Sequence, residues 1–159
     1  MITIRKAKLK DYSILMDMKV SEEQRNFVTG FSELYQNRTP DHDFFVINNG
    51  SELLGFFLID KAYSKEYTFT QQRELGLRNF MIDEKHQRKG YAVEALKKLL
   101  NYLYGAYSDY RSICLTVNKK NEAAYNCYLK AGFKDTGDIY RGGDFGPQHI
   151  LRKRLDSFS

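Results

Sequence analysis

Six consecutive residues, Gln87, Arg88, Lys89, Gly90, Tyr91 and Ala92, stand where an apolar run gives way to a pattern of helical period. A helix starting there presents the unpaired amide hydrogens of its first turn and about half a unit of positive charge. Gly90 lets a ligand approach the backbone, Ala92 keeps the first turn uncrowded, and Arg88 and Lys89 add charge at the mouth. Phosphate chemistry suits such an end, and a pyrophosphate would fit it. The same residues also suit an ordinary helix start preceded by a solvated charge run. Neither of the two best-known phosphate loops is present: the chain lacks both the three spaced glycines of dinucleotide binding and the Gly-Lys-Ser/Thr ending of triphosphate binding. Cys114 and Cys127 lack the close pairing of a redox or zinc motif and are expected as reduced core residues, one on a strand and one on a helix. His42, His86 and His149 lack the spacing that sets two ligands on one helical face, so no metal is expected.

The elements that must position this turn follow from periodicity and punctuation. Residues 3–10 alternate as a first strand, and a helix capped by Asp11 is expected to run to Lys19. Ser21 stands three residues before Gln24, the spacing of a reciprocal cap, which predicts a short helix to about Val28. Residues 43–47 and 53–59 read as an antiparallel pair around the turn at 48–51. Residues 62–72 read as an irregular loop, 74–82 as a central strand, and 91–104 as a helix with Val93, Leu96, Leu99, Leu100 and Leu103 on one stripe. A short strand at 112–117, a helix at 121–131 closed by Gly132, one strand from Phe133 and another near 149–154 complete the order. This is a mixed α+β pattern in a single domain spanning 1–159.

Composition narrows the classes of function. A chain of 159 residues buries roughly 70% of its unfolded surface in one core. With 42% hydrophobic residues and 2 prolines, it is neither disordered nor low-complexity. Its apolar stretches fall far short of the ~20 residues of a membrane span, and its N-terminus enters alternating residues directly, so a cytoplasmic protein that does not engage membranes is expected. The net charge of +5 fits nucleic acid, a membrane surface or a phosphorylated small molecule equally well. Arg152, Lys153 and Arg154 come with no groove-reading motif, so no nucleic acid partner is expected.

Three separated motifs carry a resemblance. Asn79-Phe80-Met81-Ile82-Asp83 precedes the turn, the turn has the form Gln/Arg-x-x-Gly-x-Gly/Ala, and Asn121-x-x-Ala124-x-x-x-Tyr128 with Gly132-Phe133 follows it. In order and spacing this resembles the GNAT superfamily of N-acetyltransferases. Residues 20–28 and 77–83 look like segments of bacterial spermine/spermidine (diamine) acetyltransferases. The resemblance implies the acyl-CoA N-acyltransferase fold, a central, mostly antiparallel sheet flanked by about four helices. It implies acetyl-CoA as cosubstrate and direct transfer to a primary amine of a small acceptor such as spermidine or spermine. A protein N-terminus, a lysine, an aminoglycoside-like amine and a non-catalytic acetyl-CoA sensor stay open as alternatives, and a homodimer is compatible with the family.

Carried over residue by residue, the turn from Gln87 to Ala92 becomes the pyrophosphate cradle, and the backbone of Phe80, Met81 and Ile82 pairs with the pantetheine amides as an added strand would. Asn121 matches a CoA-contacting residue, and by itself would read as a helix cap. A primary amine with pKa near ~10.4 is neutral about once in 2,500 molecules at pH 7, a cost of about 4.6 kcal/mol that a base, a water relay or desolvation must meet. Glu74 is the candidate base, with a plain strand glutamate as the alternative. The departing thiolate, with free pKa near ~8.5, takes a proton from a group of slightly higher pKa, which describes a tyrosine. Tyr128 matches the family's general acid. Cys127 lacks a local base and is set aside as an acyl-carrying nucleophile. For the acceptor, Glu22, Glu23 and Tyr35, with Glu33, Asp41 and Tyr67, lie in segments that form acceptor sites in this superfamily.

Overall fold

Successive side chains of a strand point to opposite faces, and the apolar run Phe44, Phe45, Val46 and Ile47 therefore needs cover on both sides. Phe45 and Ile47 join the larger core, while Phe44 and Val46 pack in a second cluster on the other face. The computed structural model describes residues 1–25 and 27–155, the side chain of Glu23 excepted. Its strands are β1 (Ile2–Lys6), β2 (His42–Asn49), β3 (Glu52–Asp60), β4 (Glu74–Ile82), β5 (Ser112–Asn118), β6 (Lys134–Tyr140) and β7 (Gln148–Arg154). They form one sheet in the order β1-β2-β3-β4-β5-β7-β6. Every pairing is antiparallel except that of β4 with β5. The helices are α1 (Tyr12–Met16), α2 (Phe31–Gln36), α3 (Tyr63–Glu66), α4 (Tyr91–Ala106) and α5 (Glu122–Ala131).

Helix α4 buries Ala95, Leu96, Leu99 and Leu103 in the larger core, beside Ala131 at the end of α5. Each buried leucine contributes about 1.5–3 kcal/mol, so this one stripe fixes the helix, and with it the turn before it, against the sheet. On the opposite face, Leu15 of α1 and Phe31 of α2 pack on Val46, Phe56 and Met81. Among the described residues no helix is long and apolar enough to cross a membrane. Cys114 is buried and Cys127 half-buried, both as free thiols.

Several local expectations change. The helix expected from Asp11 to Lys19 is a 3-10 turn at Leu9–Asp11 followed by the five residues of α1. Asp11 does not cap α1: its carboxylate accepts from the Lys8 amide at 2.7 Å and from both terminal nitrogens of Arg5 at 2.7 and 2.9 Å. A charge-assisted fork of this kind outcompetes a single amide hydrogen bond. Residues 22–24 form only a 3-10 turn with no Ser21 side-chain cap: the Gln24 amide donates to the Ser21 carbonyl at 3.0 Å, and the Gln24 side chain donates to Asn121. Helix α2 was not expected, and α3 interrupts the segment read as irregular, giving five α-helices among the described residues within the expected fold. Both are short and weakly periodic, and Phe31 and Tyr63 hold them by burial.

Candidate active site

Strands β4 and β5 are paired only at Glu74 with Ser112, Leu75 with Ile113 and Gly76 with Cys114. Beyond Gly76, β4 continues against β3 and β5 continues against β7, so the middle of the sheet opens into a V. Asn79 sharpens the opening. Its φ of 55° lies in the left-handed region, and the β3–β4 register slips between the Phe56–Met81 and Leu58–Arg78 pairs. A bulge of this kind bends its strand. The Asn79 side-chain oxygen also accepts from the Thr29 amide at 3.0 Å, which ties the segment before α2 to the bulge.

Two compartments occupy the V. The larger, about 310 Å³, runs from Phe80, Met81 and Ile82 of β4 to Gln87, Arg88, Gly90, Tyr91 and Ala92 at the start of α4, with Ala124, Cys127 and Tyr128 of α5 opposite. The smaller, about 160 Å³, lies toward Thr116, Val117 and Asn118 of β5 and the loop carrying Asp144 and Phe145. Gln24, Val28, Phe80, Ala124 and Tyr128 border both compartments.

At the head of α4, Gly90 has a φ of 79° and no side chain caps the helix, so the first-turn amides face the larger compartment uncapped by the chain itself. Arg88, with a φ of 64°, turns the chain into this position. Gln87 donates its side-chain amide to the Ile82 carbonyl at 2.9 Å, joining the turn to the end of β4. Lys89 is exposed beside the turn. Five of the six residues expected for the cradle therefore border the compartment, as do Phe80, Met81 and Ile82.

Tyr128 lies at the junction, its ring edge-on to Phe80 at 6.4 Å and to Phe133 at 5.7 Å. Burial, and secondarily Cys127, pushes its phenol well above the usual range, so it holds its proton at neutral pH. Asn121 borders the smaller compartment and caps α5, accepting from the Ala124 amide at 3.4 Å and from Gln24 Nε2 at 2.9 Å. The second bond closes the segment before α2 over the V. Cys127 lines the larger compartment, and burial raises its thiol pKa.

Glu74 is elsewhere. It is fully buried at the closed end of the V, accepting from Ser112 Oγ at 2.6 Å, the Gln71 amide at 3.1 Å and two nitrogens of Arg152. Phe80 is six residues further along β4, beyond the bulge at Asn79, and Glu74 lines neither compartment. Glu74 is thus placed as the partner of Arg152 and is not brought to the compartments. Burial and then the Glu74 carboxylate push the neighbouring Cys114 thiol up to about 12. Tyr35 packs among Tyr12, Phe31 and Phe44 with Arg38 over its ring at 3.8 Å, away from both compartments. Glu22 is exposed on the 3-10 turn whose Gln24 faces the cleft, and the side chain of Glu23 lies outside the described residues. Glu33 sits on α2, Asp41 precedes β2 and Tyr67 stacks on Phe69, none of them among the described residues bordering the smaller compartment. Sequence reasoning gave Gln24 and Asn79 no place at the site and passed over Asn118, Asp144 and Phe145. Only the Gly-Gly-Asp-Phe-Gly-Pro run at 142–147 carried a local signal, that of a shaped loop.

The split sheet thus carries an uncapped helix start on one side and a tyrosine where its two compartments meet. The chain belongs to the acetyltransferase (GNAT) family, whose sequence model matches residues 11–133. It is 24% identical over 145 residues to the spermine/spermidine N(1)-acetyltransferase of Bacillus subtilis (strain 168), covering 89% of this chain and 90% of the relative. Its fold is similar to that of the aminoglycoside acetyltransferase AAC(6')-Ib in complex with coenzyme A and kanamycin, with TM-score 0.77, 18% identity and coverage of 99% and 97%. It is also similar to the spermidine N-acetyltransferase of Vibrio cholerae in complex with CoA and spermine, with TM-score 0.74, 17% identity and coverage of 98% and 96%.

Proposed function

We propose that this acetyltransferase moves the acetyl group of acetyl-CoA directly to a primary amine of a small acceptor, with polyamines such as spermidine and spermine as the leading class. The observation that carries this reading is the pair of compartments meeting at Tyr128, one headed by the start of α4 and the other lined by amides, aromatics and one carboxylate. The relationship to the Bacillus spermine/spermidine enzyme supports the polyamine class.

The first-turn amides of α4, with Arg88 beside them, suit a pyrophosphate, and the larger compartment continues along Phe80 to Ile82 as a channel for a pantetheine arm. When bound, acetyl-CoA supplies an activated acyl group and leaves as a thiol. At the inner end of the smaller compartment Val28, Leu77 and Phe80 strip water from the acceptor ammonium, which lowers its pKa and favours the neutral nucleophile, its proton passing to solvent through the polar remainder of the lining. The nitrogen then forms its bond to the acyl carbon as the carbon–sulfur bond breaks. Tyr128 gives its phenolic proton to the departing sulfur and recovers one from the proton that the amine releases. Desolvation disfavours thiolate and phenolate alike, which keeps donor and acceptor matched within the same cleft. Glu74 has no part in these steps.

Thiol release from acetyl-CoA measured across spermidine, spermine, simple diamines, aminoglycosides and N-terminal peptides tests the reading, with Tyr128→Phe alongside. Saturable turnover of polyamines is expected, with kcat about 100-fold lower in the variant and acetyl-CoA affinity unchanged, the scale of a lost general acid. Turnover unchanged in Tyr128→Phe removes the acid role, and acetyl-CoA binding without turnover of any amine removes the transferase reading.

A further inference from the structure

Building on the transferase reading, we propose that Asp144 selects the acceptor by holding a second ammonium group of a short diamine arm, while the first amine lies at the junction beside Tyr128. Among the described residues lining the smaller compartment, Asp144 is the only carboxylate, and no lysine, arginine or histidine accompanies it. Asp144 itself forms no ion pair with any described residue, so its charge is available to a ligand.

The loop that presents it is held in place by the end of β5, on its own side of the V. Asn118 donates its side-chain amide to the Phe145 carbonyl at 3.0 Å, and the Lys119 amide donates to the Pro147 carbonyl at 3.1 Å. Gly146 turns the chain with a φ of 106°, a conformation that side-chain-bearing residues rarely adopt. These contacts hold the backbone at 145–147, and Asp144 and Phe145, both exposed, stand at the outer wall of the compartment while Tyr128 and Phe80 form its inner end. An aromatic ring beside a carboxylate favours an alkylammonium over other charged groups.

Size points the same way. The compartment, about 160 Å³ and open at its rim, has room for a short chain such as four carbons with a nitrogen at each end, with Val28, Leu77 and Val117 among its walls. One carboxylate at the far end reads one charge. Removal of that charge therefore penalises a diamine and spares a monoamine of equal length.

The test compares 1,4-diaminobutane with n-pentylamine, which replaces the second ammonium by a methyl group, using thiol release from acetyl-CoA by wild type, Asp144→Asn and Asp144→Glu. Wild type is expected to favour the diamine at least tenfold in kcat/KM. Asp144→Asn should lose at least tenfold on the diamine through KM, stay within threefold on n-pentylamine and bind acetyl-CoA unchanged, and Asp144→Glu should keep part of the preference. Equal losses on both amines, no loss on either, or no preference in wild type overturns the role of Asp144 alone. Wild type that acetylates neither amine but turns over spermidine, spermine or another acceptor overturns the role of Asp144 alone, and binding of acetyl-CoA without turnover of any amine overturns the transferase reading as well.

Discussion

Glu74→Gln separates a structural carboxylate from a catalytic one. The substitution keeps the shape of the side chain and removes one negative charge from a site with no exposure to solvent. The Arg152 guanidinium, only 16% exposed, loses its counter-charge and meets an amide donor where it had an acceptor, while Ser112 Oγ and the Gln71 amide lose charge-assisted bonds. Breaking a buried ion pair from one side costs about 3–5 kcal/mol. At roughly 2–4 °C per kcal/mol for a chain of this size, the thermal midpoint should fall by about 6–20 °C. Activity of the folded enzyme, assayed well below the new midpoint, should stay within threefold of wild type. Adding Arg152→Met should return part of the lost stability, because the uncompensated charge leaves with it. A thermal midpoint within 2 °C of wild type combined with a fall of about 100-fold in kcat, the scale of a lost general base, would refute the placement of Glu74 outside the chemistry.

Two further outcomes follow from local geometry. Gly90→Ala forces a side chain into a φ of 79° at the head of α4, a conformation costing about 1–2 kcal/mol; KM for acetyl-CoA should rise about tenfold with kcat little changed, and an unchanged KM would separate the turn from cofactor binding. The Arg5 hydrogen bonds hold the Asp11 carboxyl below its ordinary range, so its stabilisation is complete above the unfolded pKa of about 3.9 and is lost as pH falls through the lower folded value. Asp11→Asn should therefore cost about 1.5–3 kcal/mol at pH 7, with the gap to wild type closing toward pH 2.5 in urea unfolding; a gap independent of pH would contradict the pairing.

Much of the frame is readable in the chain. The bounds of β4 fall at 74 and 82 as expected, α4 starts at Tyr91 and α5 ends before Gly132, because each has a strong periodic run bounded by glycine or charge. The turn at 87–92 shares this legibility, since a helix start is made by consecutive residues and depends on local backbone shape. Helices α1, α2 and α3 are too short for a periodic signal and exist because Leu15, Phe31 and Tyr63 find buried places on a sheet assembled from distant segments.

The smaller compartment was hidden for a related reason. Glu74 meets Arg152 across 78 residues, Gln24 meets Asn121 across 97, and Thr29 meets Asn79 across 50. Local sequence could mark Glu74 as an acid on the strand leading to the turn, yet its chemistry depends on the Arg152 that β7 delivers through β5. In the same way, Asp144 acquires its place only when the loop before β7 is pinned to Asn118. Residue order within a few positions sets local dihedral preferences, periodic faces and the helix start; burial, ion pairing and the meeting of two ligand compartments arise only once packing brings remote segments within a few ångströms of one another.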